Sequence, residues 1–471
     1  MIASLSLIRA ELLLTAAAVF LLLLDNGRQE RKGLSVWIAG LALGIGAWLV
    51  LDSSDGTAFN VETLDAGGRF LKVLILGAVL LVLALCHGFS GFEGTEDHPF
   101  HWCTFAGLLL LSSVGLLLMV SANDFLMILI SVELVSVTSF ILTGFRKDDR
   151  RGSEAAIKYF LVGAFSSGLM VYGMSLLYGV TGGTSVSSLF GPGVASLPAL
   201  PLTGALFFLL AGFGFKLALV PFHMWAPDVY EGAPTPITAF LSVAPKAAAF
   251  GLMIRVFQNH GALHVSTLLA VLAALTMTVG NLAALRQTNV KRLLAYSSIA
   301  QMGYVMMGIV AAGPAGLRSV LVYLTAYVFT NLGAFASVIA VTEDAKTESI
   351  EGFAGLAFRS FPLALLTTFF LLSLTGIPPL VGFIGKFSLF SAVLQTPGLV
   401  WLAVVGAVNS VISLAYYFSI VRVMFFVPAS RMERVSLSLP VRGCLGVTSL
   451  ATVGVGVFPN LLLVLVKAVW P

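Results

Sequence analysis

Long apolar runs dominate this sequence and constrain its fold more than any other feature. Only 10% of its 471 residues are charged, whereas ordinary globular domains contain about 25%. Each run is close to the ~20 residues that a helix needs to cross a bilayer, and the period-two alternation of a membrane barrel is absent. The sequence therefore predicts an all-α polytopic membrane protein with about 14 transmembrane helices. We place them at 4–24, 35–52, 69–87, 102–120, 123–145, 155–180, 202–225, 237–257, 264–285, 293–312, 317–341, 361–393, 400–425 and 441–466.

Basic residues cluster in alternate loops and predict the orientation of the chain. The first run is followed by Arg28, Arg31 and Lys32, and because these basic residues come after the run, we interpret it as a spanning helix rather than a signal peptide. The basic loops are expected in the cytoplasm, which places both termini on the outer side of the membrane. The net charge of +4 reflects this asymmetry and does not indicate nucleic-acid binding. The later basic residues on the same side are Arg146, Lys147, Arg150, Arg151, Arg286, Lys291, Arg292, Lys346, Arg359, Arg422, Arg431, Arg434 and Arg442.

Four charged residues lie deep inside predicted helices: Glu133, Lys216, Lys246 and Lys386. An ionised side chain at a helix centre costs roughly 2.5–3.5 kcal/mol on insertion scales, so such residues usually mark a transport pathway. We interpret them as a proton path. The alternative is that the buried charges only hold the bundle together.

Two predicted helices are interrupted, and each interruption lies beside a lysine. Pro221 follows Lys216, and the segment 375–379 (TGIPP) precedes Lys386. The two interrupted helices are five helices apart, which predicts two inverted five-helix repeats, helices 4–8 and 9–13, as in secondary transporters. The corresponding predicted regions are an N-terminal three-helix part at 1–100, a first repeat at 101–258, a second repeat at 259–425 and a C-terminal helix at 426–471.

The charged residues differ in their predicted surroundings. Glu133 is expected to pair with Lys216, because a carboxylate holds the proton of a neighbouring lysine in a low dielectric. Lys246 follows Pro245 among small residues, near the centre of its helix. His223 lies just past the first break, where an imidazole is suited either to proton transfer or to packing. Arg9 and Glu11 are interpreted as interfacial.

Lys386 has no charged partner in its half of the sequence. The corresponding helices supply neutral polar groups, which more often join helices than carry protons. They are Ser297, Ser298, Gln301, Asn409, Ser410, Ser413 and Tyr416.

The sequence offers no recognisable place for a cofactor. It lacks a GxGxxG motif in a βαβ unit and a P-loop, and its three cysteines, Cys86, Cys103 and Cys444, do not have iron–sulfur spacing. The cysteines and histidines from Cys86 to Cys103, His98 among them, do not match a zinc site. If the chain serves a redox enzyme, the electrons are expected to travel elsewhere.

Several stretches resemble subunit N of the bacterial proton-pumping NADH:quinone oxidoreductase, respiratory complex I. They include SVELVSVTSFILTGFRKDDRRGSEAAIKYF (131–160), LVPFHMWAPDVYEGAPTPITAF (219–240), NVKRLLAYSSIAQMGYVMMG (289–308) and LSLTGIPPLVGFIGKFSLF (372–390). The resemblance covers about 125 to 425.

The resemblance implies roles for the four buried charges. Glu133 and Lys216 would form the charge pair of a first half-channel, Lys246 would continue inward along the central axis, and Lys386 would serve a second half-channel. No cofactor is implied in this chain. Flavin, iron–sulfur clusters and quinone would belong to partner subunits, beside other membrane-arm subunits in the lipid bilayer.

Two other classes of protein remain open at this stage. One is a subunit of a multi-subunit sodium/proton antiporter, or of a related hydrogenase- or ferredoxin-linked complex. The other is a scaffold that transports nothing. A scaffold should tolerate the joint removal of Glu133 and Lys216, because replacing both members of a buried pair can be neutral.

Overall fold

The computed structural model describes residues 2–25, 32–93, 100–190, 199–257, 265–429 and 433–469. Arg28, Arg31, His98 and Arg431 lie outside the described residues. A short antiparallel hairpin, β1 (Gly56–Ala58) and β2 (Glu62–Leu64), separates the third and fourth helices. The helices are α1 Ile2–Leu7, α2 Arg9–Leu24, α3 Lys32–Leu51, α4 Ala66–Gly88, α5 Trp102–Ser121, α6 Phe125–Thr143, α7 Arg150–Thr181, α8 Ala199–Leu217, α9 Trp225–Gly232, α10 Thr235–Phe257, α11 Ser266–Ala284, α12 Val290–Ala311, α13 Gly313–Ala345, α14 Leu356–Arg359, α15 Phe361–Thr375, α16 Val381–Leu394, α17 Val400–Phe426, α18 Leu439–Val457 and α19 Asn460–Val469.

The helices follow the predicted apolar runs, as expected where lipid offers the backbone no hydrogen-bond partner. In the described part of the chain, 11 helices are long and apolar enough to cross a membrane. Four predicted runs differ from a simple span. The run at 441–466 is divided into α18 and α19. The run at 4–24 contains α2, which has 16 residues, and the runs at 202–225 and 361–393 are divided into shorter helices. The predicted all-α polytopic architecture is confirmed, and so are its two broken helices.

The chain divides into two compact units, of which unit 1 comprises 1–83, 91–225 and 244–268. Within unit 1, α5 packs between α2 and α6, and α7 packs against α8. The outer faces of α6 and α7 carry large exposed apolar side chains such as Leu126, Ile130 and Phe165. A contiguous apolar surface of this kind is typical of a helix that meets lipid or another membrane protein.

Unit 2 comprises 84–90, 226–243 and 269–471. The 33-residue helix α13 packs against α12, α15, α16 and α18. Helices α11 and α12 approach each other at glycine, since a Cβ atom on Gly280 would lie 2.7 Å from the Ala300 nitrogen. Small residues allow this close approach between helices inside a membrane.

Both broken helices end in a left-handed residue followed by a proline. Helix α8 ends at Leu217, and Ala218 takes φ 55° before a cis Val220–Pro221 bond. Helix α15 ends at Thr375, and Gly376 takes φ 94° before a cis Pro378–Pro379 bond. The chain then resumes as α9 and α16, respectively.

Carbonyl groups that lose their helical partners at the first break find other donors. The Leu219 N–H donates to the Gly214 carbonyl at 2.7 Å, and the Trp225 indole N–H donates to the Phe215 carbonyl at 2.9 Å. Broken helices are tolerated in membranes where such groups are satisfied again.

Candidate functional site

Lys216 is the penultimate residue of α8 and is buried, with 2% of its surface exposed. Its ammonium group donates a hydrogen bond to the Ser136 hydroxyl of α6 at 2.9 Å. The position in the last turn of α8 is favourable for a cation, because the helix dipole places partial negative charge there. The break after Leu217 therefore creates an electrostatic site for Lys216 in the interior of unit 1.

Glu133 lies one turn before Ser136 on α6 and accepts a hydrogen bond from Ser167 of α7. The sequence predicts a pair between Glu133 and Lys216, but the structure does not place them in a direct ion pair. The physical reason is that each group has a closer hydroxyl partner, Ser167 for the carboxylate and Ser136 for the ammonium group. The Glu133 carboxylate still acts electrostatically on Lys216, so the two groups interact through space rather than by contact.

Lys246 lies in the middle of α10, directly after Pro245, and none of its surface is exposed. Ala244, Ala247 and Ala248 around it are also buried. A lysine can keep its ammonium group in water when its stem is long enough to reach the surface. The complete burial of Lys246 excludes that arrangement within this chain and agrees with its predicted central position.

Lys386 lies in the second turn of α16, on the far side of the second break, with 4% of its surface exposed. Its ammonium group donates to the Thr375 carbonyl at 2.8 Å and to the Ser410 hydroxyl at 3.2 Å. It also lies 4.2 Å from the centre of the Tyr304 ring. The negative end of the α15 dipole and the face of an aromatic ring both favour a cation here.

His223 lies between α8 and α9 in the first break and is half-buried. Its Nδ1 atom is enclosed and makes no hydrogen bond with any described residue, although the Pro221 backbone is a neighbouring polar group. Lys216, Glu133 and His223 all belong to unit 1, whereas Lys386 belongs to unit 2.

A network of hydroxyl and amide groups surrounds Lys386, and only some of its members are evident from the sequence. Ser410 donates to the Tyr304 hydroxyl at 3.1 Å, and this hydroxyl donates to the Gly406 carbonyl at 3.3 Å. The Gln301 amide donates at 2.9 Å to the carbonyl of Leu374, which precedes Thr375 in α15. The tyrosines that extend this network are Tyr323, bound to Gln301, Tyr417, bound to Ser297 and Gln301, and Tyr327, bound to Ser298.

The structure also buries charged residues whose burial is not evident from the sequence, and Lys72 is one of them. Lys72 of α4 is 1% exposed and donates to the carboxylate of Glu11 at 2.5 Å. The interpretation of Glu11 as interfacial is therefore wrong, since only 4% of this residue is exposed. Arg9, in contrast, forms a partly exposed ion pair with Asp52.

The described residues contain no group of three or more His, Cys, Asp and Glu side chains that could hold a metal ion. Cys86, Cys103 and Cys444 are buried. Ammonium, carboxylate, imidazole and hydroxyl groups in an apolar interior are able to hold and transfer protons.

Comparison with known proteins identifies relatives along nearly the whole chain. Residues 122–413 match the family model described as NADH:quinone oxidoreductase/Mrp antiporter, TM. NADH-quinone oxidoreductase subunit N from Anaeromyxobacter is 41% identical over 454 residues, covering 88% of this chain and 86% of that protein. Subunit N 2 from Sorangium cellulosum is 42% identical over 491 residues, covering 97% and 95% of the two chains.

Solved structures share the fold. A chain of respiratory complex I from Thermus thermophilus matches with a TM-score of 0.80 and 31% identity, covering 96% of this chain and 98% of that one. A chain of the Mrp complex from Dietzia matches with a TM-score of 0.86 but 21% identity, covering 100% and 97%. The latter likeness concerns the fold alone.

Proposed function

Because the chain belongs to the family of NADH-quinone oxidoreductase subunit N, we propose that it moves protons across the membrane as a membrane-arm subunit of respiratory complex I. The predicted family is thereby confirmed. Quinone reduction elsewhere in the complex supplies the driving force, and the other membrane-arm subunits are its partners. The proton-carrying groups are Glu133, Lys216, Lys246, Lys386 and His223.

One observation carries this assignment of residues. Three lysines, each no more than 4% exposed, lie inside apolar helices close to a proline, two of them at a break and one directly after Pro245 in the continuous helix α10. They are Lys216, Lys246 and Lys386. Burial of an ammonium group costs several kcal/mol even after relaxation, so three such groups are a poor way to stabilise a bundle and a suitable way to move charge through one.

In the first half-channel, Lys216 is the group that changes protonation. When Glu133 is charged, its field favours the ammonium form of Lys216, and neutralisation of Glu133 favours loss of that proton. The hydrogen bond from Lys216 to Ser136 holds the side chain in place without contact with the carboxylate. Glu133 thus acts as an electrostatic switch, Lys246 receives the proton farther inward, and His223 serves as an accessory group in the break.

In the second half-channel, Lys386 exchanges its proton without a carboxylate partner. Its hydrogen bond to Ser410 connects it to the hydroxyl of Tyr304, and hydroxyl groups both donate and accept. The Ser410–Tyr304 pair is the first part of a hydrogen-bonded route that leads away from Lys386. The two half-channels correspond to the proposed inverted repeats at 101–258 and 259–425.

The redox chemistry belongs to other chains under this proposal. This subunit holds no redox centre, nucleotide or metal, whereas flavin and iron–sulfur clusters are bound and quinone is handled by partner subunits. The protein lies in the bacterial inner membrane with both termini on the periplasmic side, as the distribution of basic residues predicts. The antiporter alternative is not favoured, since the Mrp likeness is one of fold alone.

Purification of the native complex from membranes tests the proposal. The expected result is that an affinity tag on this chain recovers flavin- and iron–sulfur-containing subunits together with inhibitor-sensitive NADH:quinone activity. Reconstitution of that complex into vesicles should give a pH gradient on addition of NADH and quinone. Recovery of membrane subunits alone, without redox centres, would instead assign the chain to an ion antiporter.

A further inference from the structure

A second group of buried charges lies at the hairpin end of unit 1, apart from the broken helices. Lys72 is the seventh residue of α4, about 9 Å along the helix from its start at 1.5 Å per residue. A lysine at that depth could extend its ammonium group to the surface. It turns inward instead, with 1% of its surface exposed, and donates to Glu11 of α2 at 2.5 Å.

A third titratable group shares this site. Glu62 begins β2, is 6% exposed, and accepts a hydrogen bond from the Ser121 hydroxyl at 2.9 Å. Burial raises the pKa of the Glu62 carboxyl, and the charge of Glu11 raises it further, against the opposing effect of Lys72. We refer to Glu11, Glu62 and Lys72 as the hairpin cluster.

The hairpin cluster carries one more negative than positive charge when all three groups are ionised. Two carboxylates share a single ammonium group, and Arg255, whose charge also acts on Glu62, is itself offset by Asp65. Arg255 is already paired with Asp65 at 3.2 Å and bonded to the Val120 carbonyl. Arg69, three residues before Lys72 in α4, is paired with Asp55. Two carboxyl groups confined in this way bind one proton between them more readily than separate carboxylates do.

The Glu11 carboxylate is only partly satisfied by Lys72. The Oε2 atom of Glu11 is buried and has no hydrogen-bond partner among the described residues. An enclosed acceptor without a donor costs about 1–3 kcal/mol. A proton bound at the neighbouring Glu62 removes the excess negative charge of the cluster.

The hairpin cluster lies near the part of α10 that follows Lys246 in the chain. Helix α4 packs closely on α10, since a Cβ atom on Gly251 would lie 3.0 Å from Leu71, the residue before Lys72. Gly251 is five residues beyond Lys246, or about 7.5 Å along the helix axis. The cluster is therefore adjacent to the segment of α10 that follows the central lysine.

We propose that Glu11, Glu62 and Lys72 form a proton-binding site that exchanges one proton between Lys246 and water at the hairpin end of unit 1. The inference rests on the proposed function and extends it to residues outside the two repeats. A carboxylate of the site becomes a carboxylic acid when a proton arrives from the Lys246 ammonium group. It becomes a carboxylate again when that proton passes to water.

The test uses the complete complex reconstituted in vesicles. Glu62→Gln keeps the shape of the side chain and an acceptor for Ser121 but cannot bind the proton. The double variant Glu11→Gln/Lys72→Met removes both buried charges together, a change that bundles often tolerate. Both variants are expected to lower proton pumping on the order of tenfold in assembled complex. Asp55→Asn, an exposed carboxylate before the same hairpin, is the matched control and should pump normally.

Infrared difference spectra provide a readout that a structural ion pair would not change. Titration of the wild-type complex should show the band of a buried protonated carboxyl group, and this band should be absent from Glu62→Gln or from the double variant. Normal pumping with an unchanged pH profile in both variants would overturn the proposal. Lys216→Ala, measured in parallel, separates the two levels of inference, because normal pumping by that variant would overturn the proposed function itself.

Discussion

The two broken helices hold their lysines by the same electrostatic device but from opposite sides of the break. Lys216 lies before the first break, in the last turn of its own half-helix. Lys386 lies after the second break and reaches back to the last carbonyl of the preceding half-helix, that of Thr375. In both places the negative end of a helix dipole faces an ammonium group. Interrupting a helix thus creates a place for a cation inside an apolar bundle.

The two sites differ in what else surrounds the cation. Lys216 has the field of a carboxylate, Glu133, and one hydroxyl partner. Lys386 has a carbonyl, a hydroxyl and the ring of Tyr304. A carboxylate loses its charge when it binds a proton, whereas a backbone carbonyl or an aromatic ring has no charge to lose. The first site can therefore be switched by the charge of its neighbour, whereas the second keeps a constant environment.

Removal of either lysine should have the largest effect. Lys216→Ala and Lys386→Ala each delete a proton carrier for which the described neighbours offer no replacement. Proton pumping by reconstituted complex is expected to fall at least roughly tenfold in each variant, while the complex still assembles. Lys158→Gln, which removes an exposed i,i+4 partner of Glu154 on α7, is the control and should pump normally. Full pumping by an assembled Lys216→Ala or Lys386→Ala complex would contradict the assignment of that lysine.

Neutralising Glu133 tests the difference between the sites. Glu133→Gln keeps the size of the side chain and can still bond to Ser167, but it removes the field at Lys216. A charge interaction on the order of 1 kcal/mol corresponds to roughly a fivefold decrease in pumping. The pH dependence of pumping should also change, because Lys216 has lost the charge that controls its proton. Glu154→Gln, the exposed carboxylate on α7, is a suitable control. A pH profile identical to wild type would show that the first site is not switched.

Gly376 and Ala218 are the left-handed residues of the two breaks. Exchanging glycine for alanine at the first position, and alanine for glycine at the second, tests how closely the backbone of each break packs against its lysine. A Cβ atom on Gly376, at φ 94°, would lie 2.8 Å from the Cδ atom of Lys386. Gly376→Ala is expected to cost about 1–3 kcal/mol of stability and to displace Lys386. Ala218→Gly should change stability by less than about 1 kcal/mol, since relief of the left-handed alanine offsets the greater flexibility of glycine. The measurements are the thermal unfolding of the purified complex and its pumping rate. Equal losses of stability in the two variants would show that Gly376 is not packed more tightly against its lysine than Ala218 is.

The sequence predicts the features of this protein that depend on local signals. Pro221, the segment 375–379 and the charges of Lys216, Lys246 and Lys386 all stand out within apolar runs, because proline interrupts a helix and a charge inside lipid is costly. Each of these residues lies where the sequence places it relative to a helix or a break. The fold and the positions of the breaks were predictable because apolar runs and prolines are local features of the sequence.

Features that depend on distant partners were not predictable from local signals. Lys72 and Glu11 lie near helix ends, where charged side chains usually reach water, and they are 61 residues apart in the chain. Nothing in either segment shows that the two side chains face each other. Glu133 is a similar case, because its choice of Ser167 over Lys216 depends on how α6, α7 and α8 pack. Tyr304 was missed because tyrosine in an apolar run is typical of ordinary packing.

His223 should give the smallest effect and completes the comparison of the breaks. It belongs to the first break, and the segment 376–380 of the second break contains no titratable side chain. Because His223 is half-exposed, water can take over part of its role, so His223→Ala should lower pumping by no more than roughly twofold. The loss should vary with pH between about pH 5 and pH 8, the interval in which histidine changes its charge. Rates equal to wild type throughout that interval would assign His223 to packing and leave Lys216 and Glu133 as the switched groups of the first break.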